Sequence, residues 1–146
     1  MKNSKEVLYV FNVTRQTFLS LGVVAADTHL ARLRGLLGKL KLRNDEGIWV
    51  VPCSGIHTIG LLFPIDVIYL DEQNRVIHVV EHLGPLRITA VRRGCYSVLE
   101  LPPRTVHRSN TRLGDELMIC SPEQILEFSK SAKVQAEADD DVQLTG

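Results

Sequence analysis

From Val7 to Cys120 the chain breaks into short runs of β-branched, aromatic and aliphatic residues, each closed by residues that favour turns. That rhythm constrains the fold more than any other feature, because strands of this length cannot bury their faces alone and must join one sheet system. Residues 7–13 and 17–25 read as two strands joined at Thr14-Arg15-Gln16, and residues 48–51 as a short strand closed by Pro52. Residues 61–70 and 75–83 read as a hairpin around Asp71-Glu72-Gln73-Asn74, whose side chains suit a turn. Shorter strands are expected at 86–91, 96–101 and 116–120. A helix is expected over 29–37, where Leu30, Leu33 and Leu37 make one apolar stripe, and a second from Ser121-Pro122-Glu123-Gln124, a helix start with a capping serine and proline at its first position. The fold class predicted is mainly β (α+β): a small, mostly antiparallel β-barrel or sandwich of about 7–8 short strands, with one early helix and a C-terminal helix.

The length of 146 residues suits a single domain. The domain is expected over 1–133, with 134–146 as an acidic, disordered tail holding Glu137, Asp139, Asp140 and Asp141. Seventeen basic and seventeen acidic residues cancel, and aromatics are 5%, so the chain has neither the overall field nor the stacking surfaces of a nucleic-acid binder. No apolar run has the length of a signal peptide or a membrane span, so the expectation is a cytoplasmic protein without membrane insertion. Cys53, Cys95 and Cys120 are scattered and odd in number, which suits reduced thiols rather than a disulfide framework. Charge is nonetheless uneven: a basic cluster at Arg32, Arg34 and Lys39 offers a candidate surface for docking a partner.

Several stretches in consistent order resemble the bacterial family known as domain of unknown function 192. They are Arg34-Gly35-Leu36-Leu37, Pro52-Cys53-Ser54-Gly55-Ile56-His57-Thr58, Phe63-Pro64-Ile65-Asp66-Val67-Ile68-Tyr69-Leu70-Asp71, Gly84-Pro85, Val98-Leu99-Glu100-Leu101-Pro102 and Gly114-Asp115-Glu116-Leu117. The resemblance implies a compact, mainly β fold and brings no activity with it. The sequence departs from the family pattern at Leu61-Leu62, where a methionine and a second, often polar, residue are usual. It departs again at Pro103-Arg104, in place of a small residue and a glycine, so no ligand role carries over at either position.

Four residues are candidates for binding a ligand: Cys53, His57, Asp66 and Glu100. Asp66 interrupts an apolar strand, and side-chain alternation puts it on one face with Ile68 and Leu70 while Ile65, Val67 and Tyr69 take the other. An unpaired carboxylate there would cost several kcal/mol, on the scale of a small domain's whole stability. Asp66 must therefore be bonded to backbone N–H groups or an arginine, face a solvated cleft, or carry a proton. Glu100 poses the same question, either as the second carboxylate of an acid–base pair or as the partner of an arginine such as Arg34 or Arg104. Cys53 and His57 share one glycine-containing loop, where a histidine could activate a thiol. Cys53, His57, His78 and His82 lack paired ligand spacing, so no metal is expected, and no cofactor motif is present; Gly35 and Gly38 fall at the end of the expected helix rather than at its start.

The function these residues suggest is a small ligand- or protein-binding module with a polar site around the 53–58 loop and Asp66. The alternatives are a hydrolase- or lyase-type enzyme using Asp66, His57 and Cys53, and an accessory factor of an envelope or pilus assembly system, the last by analogy alone.

Overall fold

All six residues of Ile65–Leu70 are buried, so the strand they form is covered on both faces. In the computed structural model, which describes residues 5–27 and 40–143, this strand lies near one edge of a seven-stranded sheet. The elements are β1 (Val7–Asn12), β2 (Thr17–Ala26), β3 (Glu46–Val50), β4 (Ile65–Leu70), β5 (Val76–Leu83), β6 (Ser97–Leu101), α1 (Thr105–Ser109), β7 (Leu117–Cys120) and α2 (Pro122–Gln143). Strand order is β5-β4-β6-β3-β2-β1-β7, a mixed open sheet in an α+β fold.

Pairing is antiparallel except between β2 and β3, which run parallel from Gly22↔Glu46 to Ala26↔Val50. A parallel pair needs a long crossover, and residues 27–45 supply it. Gly22 sits where that crossover re-enters the sheet; a β-carbon there would collide with the Asp45 carbonyl oxygen. The expected helix over 29–37 and the docking candidates Arg32, Arg34 and Lys39 lie outside the described residues.

The sheet curls until its two edges meet at one corner. Val76 N donates to Asp115 O (2.9 Å), Gly114 N to Val76 O (2.8 Å) and Leu117 N to Asn74 O (2.9 Å). The curl gives two cores. One collects Val10, Leu19, Val23, Ile68, Leu70 and Leu99 from six residues' worth of inward positions and is closed by Val106 of α1. The other lies on the opposite face of β3, β4 and β6, where Ile48, Val50, Val67 and Tyr69 pack beneath Ile56, Leu61 and Phe63 from the loop before β4.

Three expectations change. Residues 86–91 form no strand and make a single bridge, Ile88 with His57. Leu86 adopts positive φ after Pro85, and Thr58 and Thr89 side chains take backbone groups that a regular ladder would use. Residues 105–109 form a helix in the connection between β6 and β7, entered through Arg104 at φ 72°. The C-terminal helix continues past Lys133 to Gln143, into the stretch whose composition suggests a disordered tail; alanine, glutamate and glutamine there are good helix formers. Its early turns dock through Ile125 and Phe128, the latter 6.2 Å from Phe11 between ring centres.

Candidate functional site

Asp66 is fully buried, and both of its oxygens are used by backbone donors. Oδ1 accepts from His82 N at 2.9 Å and Oδ2 from Val106 N at 3.0 Å. The first bond sits at an irregularity in the β4–β5 ladder, where Ile65 pairs Leu83 but Val67 pairs Val80 and His82 takes φ 53°. The second reaches the first turn of α1, to which Arg104 lends no side-chain cap. One carboxylate thus satisfies two backbone donors left over by a bulge and a helix end. Asp66 is a tie between β4, β5 and α1.

Glu100 is equally buried but faces the other way. Register pairs Asp66 with Leu101 and Val67 with Glu100, and residues paired across strands share a face. Leu101 belongs to the core with Ile68 and Leu70, while Val67 belongs to the core with Tyr69 and Val98. The two carboxylates therefore point to opposite sides of the sheet. They cannot converge on one substrate as an acid–base pair.

Cys53 and His57 do come together, on the wall of an open cleft of about 450 Å³ whose lining also includes Pro52, Gly55, Ile88 and Val91. Asp66 does not line it. The cleft lies over the face that carries Tyr69, since Ile56 and Cys53 both pack there. Its walls are two irregular segments, 52–58 and 86–92, held side by side. Thr58 N donates to Arg87 O (2.8 Å), Thr89 N to Ile56 O (2.9 Å) and Arg92 N to Ser54 O (2.9 Å). Thr89 Oγ1 doubles the middle link, accepting from Ile56 N and donating to Ile56 O, both at 3.0 Å. The Cys53 thiol donates to Gly55 O at 3.1 Å.

Around the cleft the surface is unusually apolar. Leu86, Ile88 and Val91 are 75%, 77% and 75% exposed, and Ile59 is 48% exposed. Arg87 and Arg93 are exposed on the same segment. Beneath it, burial pushes the Tyr69 phenol up, opposed by Thr89 and Arg92. Burial holds His78 below its ordinary value, and the Arg92 charge adds to the effect; its ring lies 5.4 Å from that of Tyr69.

Two further features lie outside the four candidate residues. Asp115, within the Gly114-Asp115 match, is 2% exposed. It accepts from Asn12 Nδ2 (2.9 Å), Arg112 N (2.9 Å) and Arg15 Nε (3.1 Å). Burial alone would raise its pKa, but Arg15, Asn12 and the Arg112 N–H together hold it below the ordinary value. The aliphatic rim at 86–91 has residue types that favour a strand but forms only the Ile88–His57 bridge. Among the described residues no three potential metal ligands cluster, and no helix is long and apolar enough to cross a membrane.

Residues 9–119 match the model of the DUF192 family, described as Uncharacterized ACR. Two crystal structures share the fold. A candidate transcription regulator from Sinorhizobium meliloti 1021 is 21% identical, with a TM-score of 0.67 over 80% of this chain and 94% of that one. A protein of unknown function from Novosphingobium aromaticivorans DSM 12444 is 17% identical, with a TM-score of 0.65 over 81% and 89% of the two chains. No curated protein matches the chain.

Proposed function

The chain belongs to the DUF192 family of uncharacterised proteins, and on that premise we propose that it is a protein-binding module whose site is the cleft between residues 52–59 and 86–93. The occupant is a partner segment carrying apolar side chains interspersed with acidic ones. One observation carries this reading: large aliphatic side chains stand out of the surface on both sides of a concave site, and Arg87 and Arg93 are exposed on one of the two segments. Exposed apolar patches beside a groove are the usual mark of an interaction surface, and charge complementarity adds selectivity and on-rate.

The enzyme alternative has less support. Asp66 cannot serve as its base, because both oxygens accept backbone bonds on the far face of β4 from Cys53 and His57. An envelope or pilus accessory factor would dock through Arg32, Arg34 and Lys39, which lie outside the described residues, or through the terminal helix. Nucleic acid as the partner has the balanced charge against it, and the aliphatic rim suits a protein better.

The test is a two-dimensional NMR titration of the labelled chain with a synthetic peptide alternating leucine and aspartate. Saturable shifts confined to residues 52–59 and 86–93, lost in the Ile88→Asp and Val91→Asp variants and with a leucine–lysine peptide, are the expected result. Shifts elsewhere, or none, overturn the reading.

A further inference from the structure

Cys53, on the wall of the cleft, and Cys95, outside its lining, come from separate loops that approach each other. Cys53 N donates to Tyr96 O at 2.8 Å, which lays the two loops side by side. The Cys95 thiol lies 3.3 Å from the Cys53 carbonyl oxygen and 3.3 Å from Ser97 O. Both residues are half-buried. The third cysteine, Cys120, sits in a different cluster with Phe11 and Ile125. Both pack against the core cluster that holds Tyr69, and each also lines an open depression of the surface, Cys53 in the cleft and Cys95 beside Gly94 and Tyr96. Each loop contains a glycine next to or near its cysteine, Gly55 and Gly94, so the backbone can yield by the small amount that disulfide geometry demands.

We propose that Cys53 and Cys95 form a reversible disulfide under peroxide, and that its formation alters binding in the cleft. The Cys53 thiolate attacks one peroxide oxygen and the O–O bond breaks, leaving Cys53 as a sulfenic acid; the departing hydroxide takes up a proton and leaves as water. The Cys95 sulfur then attacks the Cys53 sulfur. The S–O bond breaks, and the hydroxide released takes the Cys95 proton to form a second water. Two thiols lose two electrons and peroxide is reduced to two waters. Cys53 takes the first step because it is reached from the cleft, while burial pushes the Cys95 thiol up and leaves it less of the thiolate that peroxide meets.

A disulfide sulfur has no proton, so the bond from the Cys53 thiol to Gly55 O is lost and the 53–55 wall becomes tied to residue 95 instead. This consequence rests on the cleft being the binding site; the disulfide itself does not. Peptide affinity is expected to fall by about fivefold, the scale of one lost hydrogen bond.

The experiment treats the full chain with hydrogen peroxide under native conditions, alkylates remaining thiols and maps the peptides. A 53–95 linkage reversed by dithiothreitol, with Cys120 fully alkylated, is expected. In Cys95→Ser the reaction should stop at a Cys53 sulfenic acid that dimedone traps, and Cys120→Ser should behave as the parent. Alkylation of both Cys53 and Cys95, over-oxidation without linkage, or disulfides between chains overturns the proposed disulfide. The leucine–aspartate titration is then repeated on the oxidised chain. Linkage with unchanged peptide affinity removes the regulatory claim and leaves the binding site standing. Linkage in a chain whose reduced form ignores the peptide leaves the disulfide standing and removes the binding site.

Discussion

Strand β4 separates two regions that use polar residues in opposite ways. On one face Asp66 is sealed from solvent and spends both oxygens on backbone donors from β5 and α1. Over the other face the 52–58 and 86–92 segments bond mainly to each other and leave aliphatic side chains facing water. A sealed, saturated carboxylate holds elements together; the open cleft leaves its apolar rim in contact with water. The difference lies in which groups are already satisfied, not in which residue types are present.

The sharpest way to break this comparison is to remove the tie. Asp66→Ala leaves two buried N–H groups without an acceptor and should cost about 3–5 kcal/mol in urea unfolding. A loss below about 1 kcal/mol would contradict the structural role. Asp66→Asn should cost less, about 2 kcal/mol, since an amide oxygen still serves one donor while its NH₂ faces the other.

Next in size is Asp115→Asn, with an expected loss of about 1.5–3 kcal/mol for a carboxylate that accepts from Asn12, Arg15 and Arg112. This residue also carries a pH signature. Its folded pKa lies below the unfolded value, so its contribution is fully present above the unfolded pKa of about 4. It is lost as pH falls through the lower folded value, because the unfolded chain then binds the extra proton. Unfolding curves for the parent and Asp115→Asn should therefore converge in acid and separate toward neutrality. Parallel curves would show that the carboxylate's charge is immaterial.

Smallest in stability are changes at the rim. Ile88→Asp and Val91→Asp should shift stability by no more than about 0.5 kcal/mol, since both side chains are exposed. A large loss in either would mean the rim is packed in solution and would erase the contrast with Asp66. His57→Ala tests the same wall: it should preserve folding while weakening the peptide titration.

Much of the fold was legible. Alternation along residues 65–70 placed Asp66 with Ile68 and Leu70 and Tyr69 on the other side, as the two cores have it. The β4–β5 hairpin and the proline-led C-terminal helix were also readable, because turn and cap chemistry are local. The parallel β2–β3 pair was not, since nothing in either strand's composition states its direction relative to a distant neighbour. Nor was the loss of strand at 86–91, which turns on Thr58 and Thr89 capturing backbone groups across the cleft.

For the candidate site, residue types nominated Cys53, His57, Asp66 and Glu100 together, and three-dimensional packing divided them. A carboxylate in an apolar strand announces from the sequence alone that its charge must be met somewhere, because desolvation is severe wherever the strand ends up. What meets it is a matter of register and of long-range approach: one residue's slip exchanges the faces of a strand, and Val106 lies forty residues away in the chain. Local chemistry therefore set the need for a partner, and only the packed sheet decided that Asp66 would be a tie and that the open site would lie behind it.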